Sequence, residues 1–329
     1  MAEALRAEPA TRLRAPDFYV VGHEKCGTTA LHVMLSRHPQ IFMSKLKETR
    51  FFAPELRSRF RRLGPGELPE SLEEYLALFA EAGPEQRVGE ASPSYLRSRS
   101  AAARIAELRP DARIIAILRE PAAYLRSFHL QAVHNHIEPQ KDFARALALE
   151  PARREGRKIP RLSQSPPALL YSDHVRYVEQ LRRFEAVFAP EQILVLIYED
   201  FRRDNEAVLR QILRFLDVEE IVAIESEETY RLQGVRSVFL LRAGLALSTA
   251  RRKAAAGGPA LKALNSVIPT PTRNRAVRRL WRRAIYAEQP AADEAVMLDV
   301  RRRFRGEVEA LSEHLGRDLI ALWGYDKLG

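Results

Sequence analysis

A chain of 329 residues, 46% of them hydrophobic, is long enough to bury one large α/β core. Its 53 Lys and Arg against 43 Asp and Glu leave a net charge of +10, which points to anionic partners: a phosphorylated cofactor, an acidic polymer or a membrane surface. The single cysteine, Cys26, excludes an intrachain disulfide and fits a reducing compartment.

Residues 1–16 read as a flexible, charged lead-in without the apolar core of a signal peptide. No run approaches the roughly 20 apolar residues that cross a bilayer, so a cytoplasmic protein is expected. Residues 17–329 read as one domain with a variable, basic insertion around 225–290. Phe18-Tyr19-Val20-Val21 is a buried strand, followed by a glycine-bearing turn and a helix carrying Leu31, Met34 and Leu35 on one face. Ile41-Phe42-Met43 is a short second strand, and residues 71–81 keep a helical period through Leu72, Tyr75, Leu76 and Phe79.

Residues 87–90 form a third strand, 101–108 a helix, and RIIAIL at 113–118 the strongest buried strand. Pro121 stands at a natural first helical position for a helix reaching Asn135. Residues 150–167 read as a basic connection, 169–188 as one long amphipathic helix and 192–198 as another buried strand. Helices follow at 205–216 and 294–315, and 319–323 packs back on the core. Strands alternating with helices imply a parallel sheet with helices on both faces.

The turn Gly22-His23-Glu24-Lys25-Cys26-Gly27-Thr28-Thr29 has the architecture that holds phosphate, because turn amides and the helix dipole both favour an anion. Gly22 and Gly27 have the Walker A separation, but the lysine stands before the second glycine, at Lys25, and two threonines follow it. That arrangement suits a smaller anionic group than a magnesium-bound triphosphate, and no metal is expected. Arg119 ends the RIIAIL strand at the usual binding edge of a parallel sheet, and Ser127 lies two helical turns on. An arginine fork with a hydroxyl suits a terminal phosphate.

In this order, VVGHEKCGTTALHVMLSRHPQ, KETRFF, GEASPSYL and AILREPAAYLRSFHLQAVHN resemble the sulfotransferases that use 3′-phosphoadenosine-5′-phosphosulfate (PAPS). The likeness is to the heparan-sulfate type and its bacterial relatives, and it extends through YSDHVRYVEQLRRFEAVFAPEQILVLIYEDF and ILRFLDV, roughly Phe18 to Val218. The resemblance implies a P-loop-like three-layer α/β fold with a central parallel sheet flanked by helices. It implies that the loop Lys25, Cys26, Gly27, Thr28 and Thr29 binds the 5′-phosphosulfate, and that Arg119 and Ser127 bind the 3′-phosphate. It makes Glu48 the general base and Lys25 the group that stabilises developing charge.

One departure stands out: heparan-sulfate enzymes carry Glu-Lys-Thr-Pro where this chain has Glu90-Ala91-Ser92-Pro93, which leaves Glu90 as the second candidate base. Arg231 and Arg236 are the candidates for a basic loop over the 3′-phosphate and adenine. The expected acceptor is a hydroxyl or amine, on a carbohydrate or lipid-linked glycan. The basic segment 273–283 is a candidate contact for an acidic polymer or a membrane, with no nucleic acid expected. The alternatives are a P-loop kinase or NTPase, disfavoured by the absent Gly-Lys-Ser/Thr ending, and a non-catalytic polyanion binder.

Overall fold

The strands are short and predominantly apolar, and one of them sits at the centre of everything else. In the computed structural model, which describes residues 14–57, 68–135, 137–160, 165–221, 234–235, 286–287, 291 and 293–328, the chain forms a five-stranded sheet. Its strands are β1 (Phe18–Gly22), β2 (Ile41–Met43), β3 (Arg87–Ala91), β4 (Arg113–Leu118) and β5 (Ile193–Ile197). The order is β2-β3-β1-β4-β5 and every pairing is parallel. Every residue of β1 is buried, as a strand covered on both faces requires.

The helices among the described residues are α1 (Thr28–Ser36), α2 (Leu72–Ala77), α3 (Ala101–Leu108), α4 (Pro121–His134), α5 (Phe143–Ala148) and α6 (Glu150–Arg154). They continue with α7 (Tyr171–His174), α8 (Tyr177–Glu185), α9 (Tyr198–Arg203), α10 (Asn205–Phe215), α11 (Glu294–Leu315) and α12 (Leu319–Trp323). The expected α/β class, parallel sheet and flanking helices are all present.

The strand order explains where a site can form. After β1 the chain moves out to β2, returns to place β3 beside β1, then crosses to β4 on the other side. The loop leaving β1 therefore lies at the reversal point on the carboxyl edge of the sheet, where open α/β folds take ligands. Gly22 is required at the exit of β1: its φ is 130°, and a Cβ there would lie 2.3 Å from the Ile117 carbonyl oxygen of β4.

Three expectations need correction. Residues 169–188 are not one helix but a 3₁₀ turn (Pro166–Leu169) followed by α7 and α8. Val175 and Arg176 leave the helical region between them, with ψ of 11° and 63°. The Gln180 amide donates to the Asp173 carbonyl at 2.8 Å and the His174 carbonyl at 3.3 Å, taking over acceptors that a continuous helix would have used internally. The break buries Tyr171, His174 and Tyr177 together.

The connection at 150–167 likewise contains a helix, α6, which Pro151 opens rather than interrupts. Arg153 on α6 is buried and forms a two-pronged ion pair with buried Glu138, at 2.6 and 2.9 Å. The segment expected at 71–81 is helical only over α2.

The C-terminal helices brace the binding edge. Tyr325 Oη donates to Glu120 Oε1 at 2.6 Å, and Trp323 Nε1 donates to Glu199 Oε2 at 2.9 Å. Glu120 itself caps α4 by accepting from the Ala122 and Ala123 amides. The last residues of the domain thus hold the start of α4, next to Arg119.

Candidate active site

The loop after β1 ends at Gly27, which is left-handed (φ 81°) and precedes α1 without any side-chain cap. No acidic residue lies in the first turn of α1. Its first amides therefore have no acceptor from a cap side chain, and a Cβ at Gly27 would approach the Phe201 ring to 3.0 Å. Arg119 donates through Nη1 to the Lys25 carbonyl at 2.8 Å and stacks over the Tyr198 ring at 4.7 Å. Among the described residues its buried Nε has no hydrogen-bond partner. Tyr177 Oη holds the Arg119 carbonyl at 2.9 Å.

The second wall is the segment 44–52. Glu48 donates its amide to the Ala91 carbonyl (2.9 Å), and the Arg50 amide donates to Ser92 Oγ (3.2 Å), which hangs the segment from the end of β3. Lys47 Nζ reaches across to α1 and donates to Thr28 Oγ1 (3.2 Å) and Thr29 Oγ1 (2.9 Å). Arg50 Nη2 lies 3.3 Å from Glu48 Oε2 and 3.6 Å from Glu24 Oε1, so it ties the segment to the loop. Lys25, Glu48 and Arg50 all have positive φ (73°, 58° and 50°), a left-handed backbone that costs about 1–2 kcal/mol per non-glycine residue. Such strain persists where the surroundings fix it, typically at functional sites.

The electrostatics match an anion pocket. Burial holds the Lys25 ammonium below the usual lysine pKa, and the Arg119 guanidinium adds to that. Burial does the same to Lys47, although Glu48 and Glu24 oppose it. Burial pushes the Glu24 carboxyl up, but Arg97 and Arg50 outweigh it and hold it below the usual carboxylate range. Cations gathered at a helix N-terminus repel one another, and a bound anion relieves that repulsion.

The structure separates the two candidate bases. Glu48 keeps 28% of its side chain exposed and can meet a solute. Glu90 is 0% exposed: its Oε1 accepts from Ser92 Oγ at 2.6 Å and Thr49 Oγ1 at 3.3 Å. Burial pushes its carboxyl up to about 7 against those hydrogen bonds. Glu90 therefore underpins the Glu48 segment from below.

A raised folded-state pKa contributes stability that is present below about 4.5 and lost as pH rises through 7. Urea unfolding at several pH values is expected to show Glu90→Gln gaining on the parent protein by up to roughly 3 kcal/mol from pH 4.5 to above 7. A flat difference profile would mean that Glu90 is not held protonated.

Cys26 is buried in the core, where burial raises its thiol pKa, and its Sγ lies 3.9 Å from the Glu24 carbonyl oxygen. His23 is also buried, with Nε2 2.9 Å from Gln180 Oε1. Ser127 lies half-buried on α4, and no hydrogen bond of the described residues joins it to Arg119. Arg231, Arg236 and the segment 273–283 lie outside the described residues. Lys47, Glu24 and Arg97 were not expected as site residues; the adjacency of Lys47 to Glu48 was the available signal for the first.

A strand–loop–helix turn at the reversal point of a five-stranded parallel sheet is the arrangement of a phosphate-loop type of α/β fold. The family model described as "Sulfotransferase family" matches residues 16–221, and the chain belongs to that family. It is 28% identical over 216 residues to the human bifunctional heparan sulfate N-deacetylase/N-sulfotransferase 3, covering 62% of this chain and 22% of that protein. Human carbohydrate sulfotransferase 15 is 26% identical over 258 residues, covering 63% of this chain and 45% of that protein. The chain thus spans only part of the length of these relatives. Among solved structures, a sulfotransferase from Alicyclobacillus acidocaldarius is 29% identical with a TM-score of 0.57, covering 82% of this chain and 99% of that one.

Proposed function

We propose that the chain transfers a sulfuryl group from PAPS to a hydroxyl or amine on a carbohydrate acceptor, with Glu48 as general base. The observation that carries this reading is the uncapped start of α1 with Lys25, Lys47 and Arg119 gathered around it. PAPS, when bound, supplies a sulfuryl group already activated by its linkage to the 5′-phosphate. The residues present fit that donor. Amides at the start of α1 and the Lys25 ammonium suit the 5′ end, and the Arg119 guanidinium, whose Nε has no partner among the described residues, suits the 3′-phosphate with Ser127 further along α4.

Glu48 takes the acceptor proton, and Lys25 offsets charge developing on the departing phosphate oxygen. The Glu48–Arg50–Glu24 chain joins the base to the loop, so both are positioned as one unit.

A cavity of about 390 Å³ is lined in part by Glu55, Arg97, Arg99, Asp173, Arg176 and Arg183. Its volume is in the range of small-ligand sites. Arg97 also acts electrostatically on Glu24 of the loop, which links the cavity to the donor side. A lining of guanidinium and carboxylate groups suits the hydroxyls and charges of a saccharide better than an alkyl chain. The names of the relatives, heparan sulfate and carbohydrate sulfotransferases, support the same class.

The cytoplasm is the compartment we propose, on the strength of Cys26 as a buried free thiol. Among the described residues no helix is long and apolar enough to cross a membrane.

Incubation with PAPS labelled in its sulfate group tests this reading against amino sugars, uronic-acid oligosaccharides, glycolipids and phenols. Label is expected on saccharides. Label on phenols alone would contradict the acceptor class, and label on nothing would contradict the reaction.

A further inference from the structure

We infer that Lys47 is a second catalytic cation, one that contacts the sulfuryl group itself rather than the donor's phosphates. The inference rests on the sulfotransferase reading and deepens it. Lys47 Nζ bonds only to the neutral hydroxyls of Thr28 and Thr29, and among the described residues it forms no ion pair. An ammonium held half-buried against the positive end of α1, attracted by Glu48 and Glu24 but bonded to no carboxylate among the described residues, keeps N–H donors that an arriving anion can claim. Neighbouring Lys45 shows the ordinary alternative, an exposed pair with Glu81 at 2.6 Å.

The origin of Lys47 assigns its target. Lys25 and the α1 amides belong to the loop wall, whereas Lys47 comes from the opposite wall and is covalently adjacent to Glu48. A group that touches both Lys47 and the Thr28 and Thr29 hydroxyls lies between the donor loop and the base. In an in-line displacement that is the place of the transferring group, with the leaving phosphate on one side and the acceptor on the other. The acceptor oxygen or nitrogen forms its bond to sulfur while the bridging oxygen–sulfur bond breaks. The electron pair of that bond stays on the 5′-phosphate, and the acceptor proton passes to Glu48. The N–H donors of Lys47 serve the non-bridging sulfuryl oxygens throughout, exchanging their threonine partners for them.

Calorimetry on the full chain separates this role from a structural one, because adenosine 3′,5′-bisphosphate (PAP) has both phosphates and no sulfuryl group. Lys47→Met is expected to raise the Kd for PAPS about tenfold, in line with the loss of one hydrogen bond to a charged group. The Kd for PAP is expected to change less than threefold. The variant is expected to melt no lower than the parent, since a desolvated charge is removed. Equal losses for PAPS and PAP would overturn the inference by making Lys47 a phosphate ligand or a scaffold residue. Unchanged affinity for both would overturn it by removing Lys47 from the site. Failure of the parent protein to bind either ligand would instead remove the donor reading on which the inference rests.

Discussion

Glu48→Gln is expected to lower kcat by about 10²–10⁴-fold, the usual contribution of a positioned general base, with the Kd for PAP changed less than threefold. The amide keeps the shape of the side chain and cannot accept the proton. Stability is expected to fall by less than about 1 kcal/mol, because the pair lost with Arg50 is partly exposed, at 3.3 Å. The rate effect is therefore separable from unfolding by a melting curve. Unimpaired turnover would remove Glu48 as base. Glu90 would then need to open from a site where it is 0% exposed and where Ser92 and Thr49 hold its one bonded oxygen.

Lys25→Met is expected to act on both binding and rate. Loss of one charge-assisted contact to the donor weakens PAP binding by roughly 10- to 150-fold. With Lys25 as the cation at the departing phosphate, kcat is expected to fall by about 10²–10³-fold. The loop itself is expected to survive, because Arg119 grips the Lys25 carbonyl and not its side chain. Steady-state kinetics with titrated PAPS reads both effects. A variant with an altered KM and parental kcat would show that Lys25 only binds. The contrast with Glu48→Gln, which is expected to leave donor affinity intact, distinguishes donor-side from acceptor-side residues.

Much of this was legible along the chain because the determinants are local. The strands of the sheet announce themselves as apolar runs, and the loop after β1 is marked by Gly22 and Gly27, whose backbone demands are intrinsic. The expected strands at 18–21, 41–43, 87–90, 113–118 and 192–198 correspond to β1 through β5 within one or two residues. What was not legible depends on contacts far apart in sequence. The break between α7 and α8 arises because Gln180 satisfies the Asp173 and His174 carbonyls while facing His23, 157 positions away. Periodicity alone cannot reveal such a competing partner.

The burial of Glu90 has the same origin: its neighbours Thr49 and Tyr19 come from other segments of the chain. Lys47 beside Glu48 is an ambiguous signal in sequence, because a lysine next to a glutamate reads equally as a surface ion pair. Only the approach of the 44–52 segment to α1 reveals a half-buried ammonium on threonine hydroxyls. Arg119 shows an intermediate case. Its place at the strand end was legible, but its grip on the Lys25 carbonyl and its stacking on Tyr198 required the packed fold.

PAPS-dependent sulfuryl transfer requires that the α1 loop and Arg119 accept a nucleotide with separate 3′ and 5′ phosphates. The most direct measurement is isothermal titration of the full chain with PAP and, in parallel, with ATP and Mg²⁺. Binding of PAP, weakened in Lys25→Met and at least 100-fold tighter than binding of ATP–Mg²⁺, is the result expected. Binding of ATP–Mg²⁺ with no detectable binding of PAP would contradict the account.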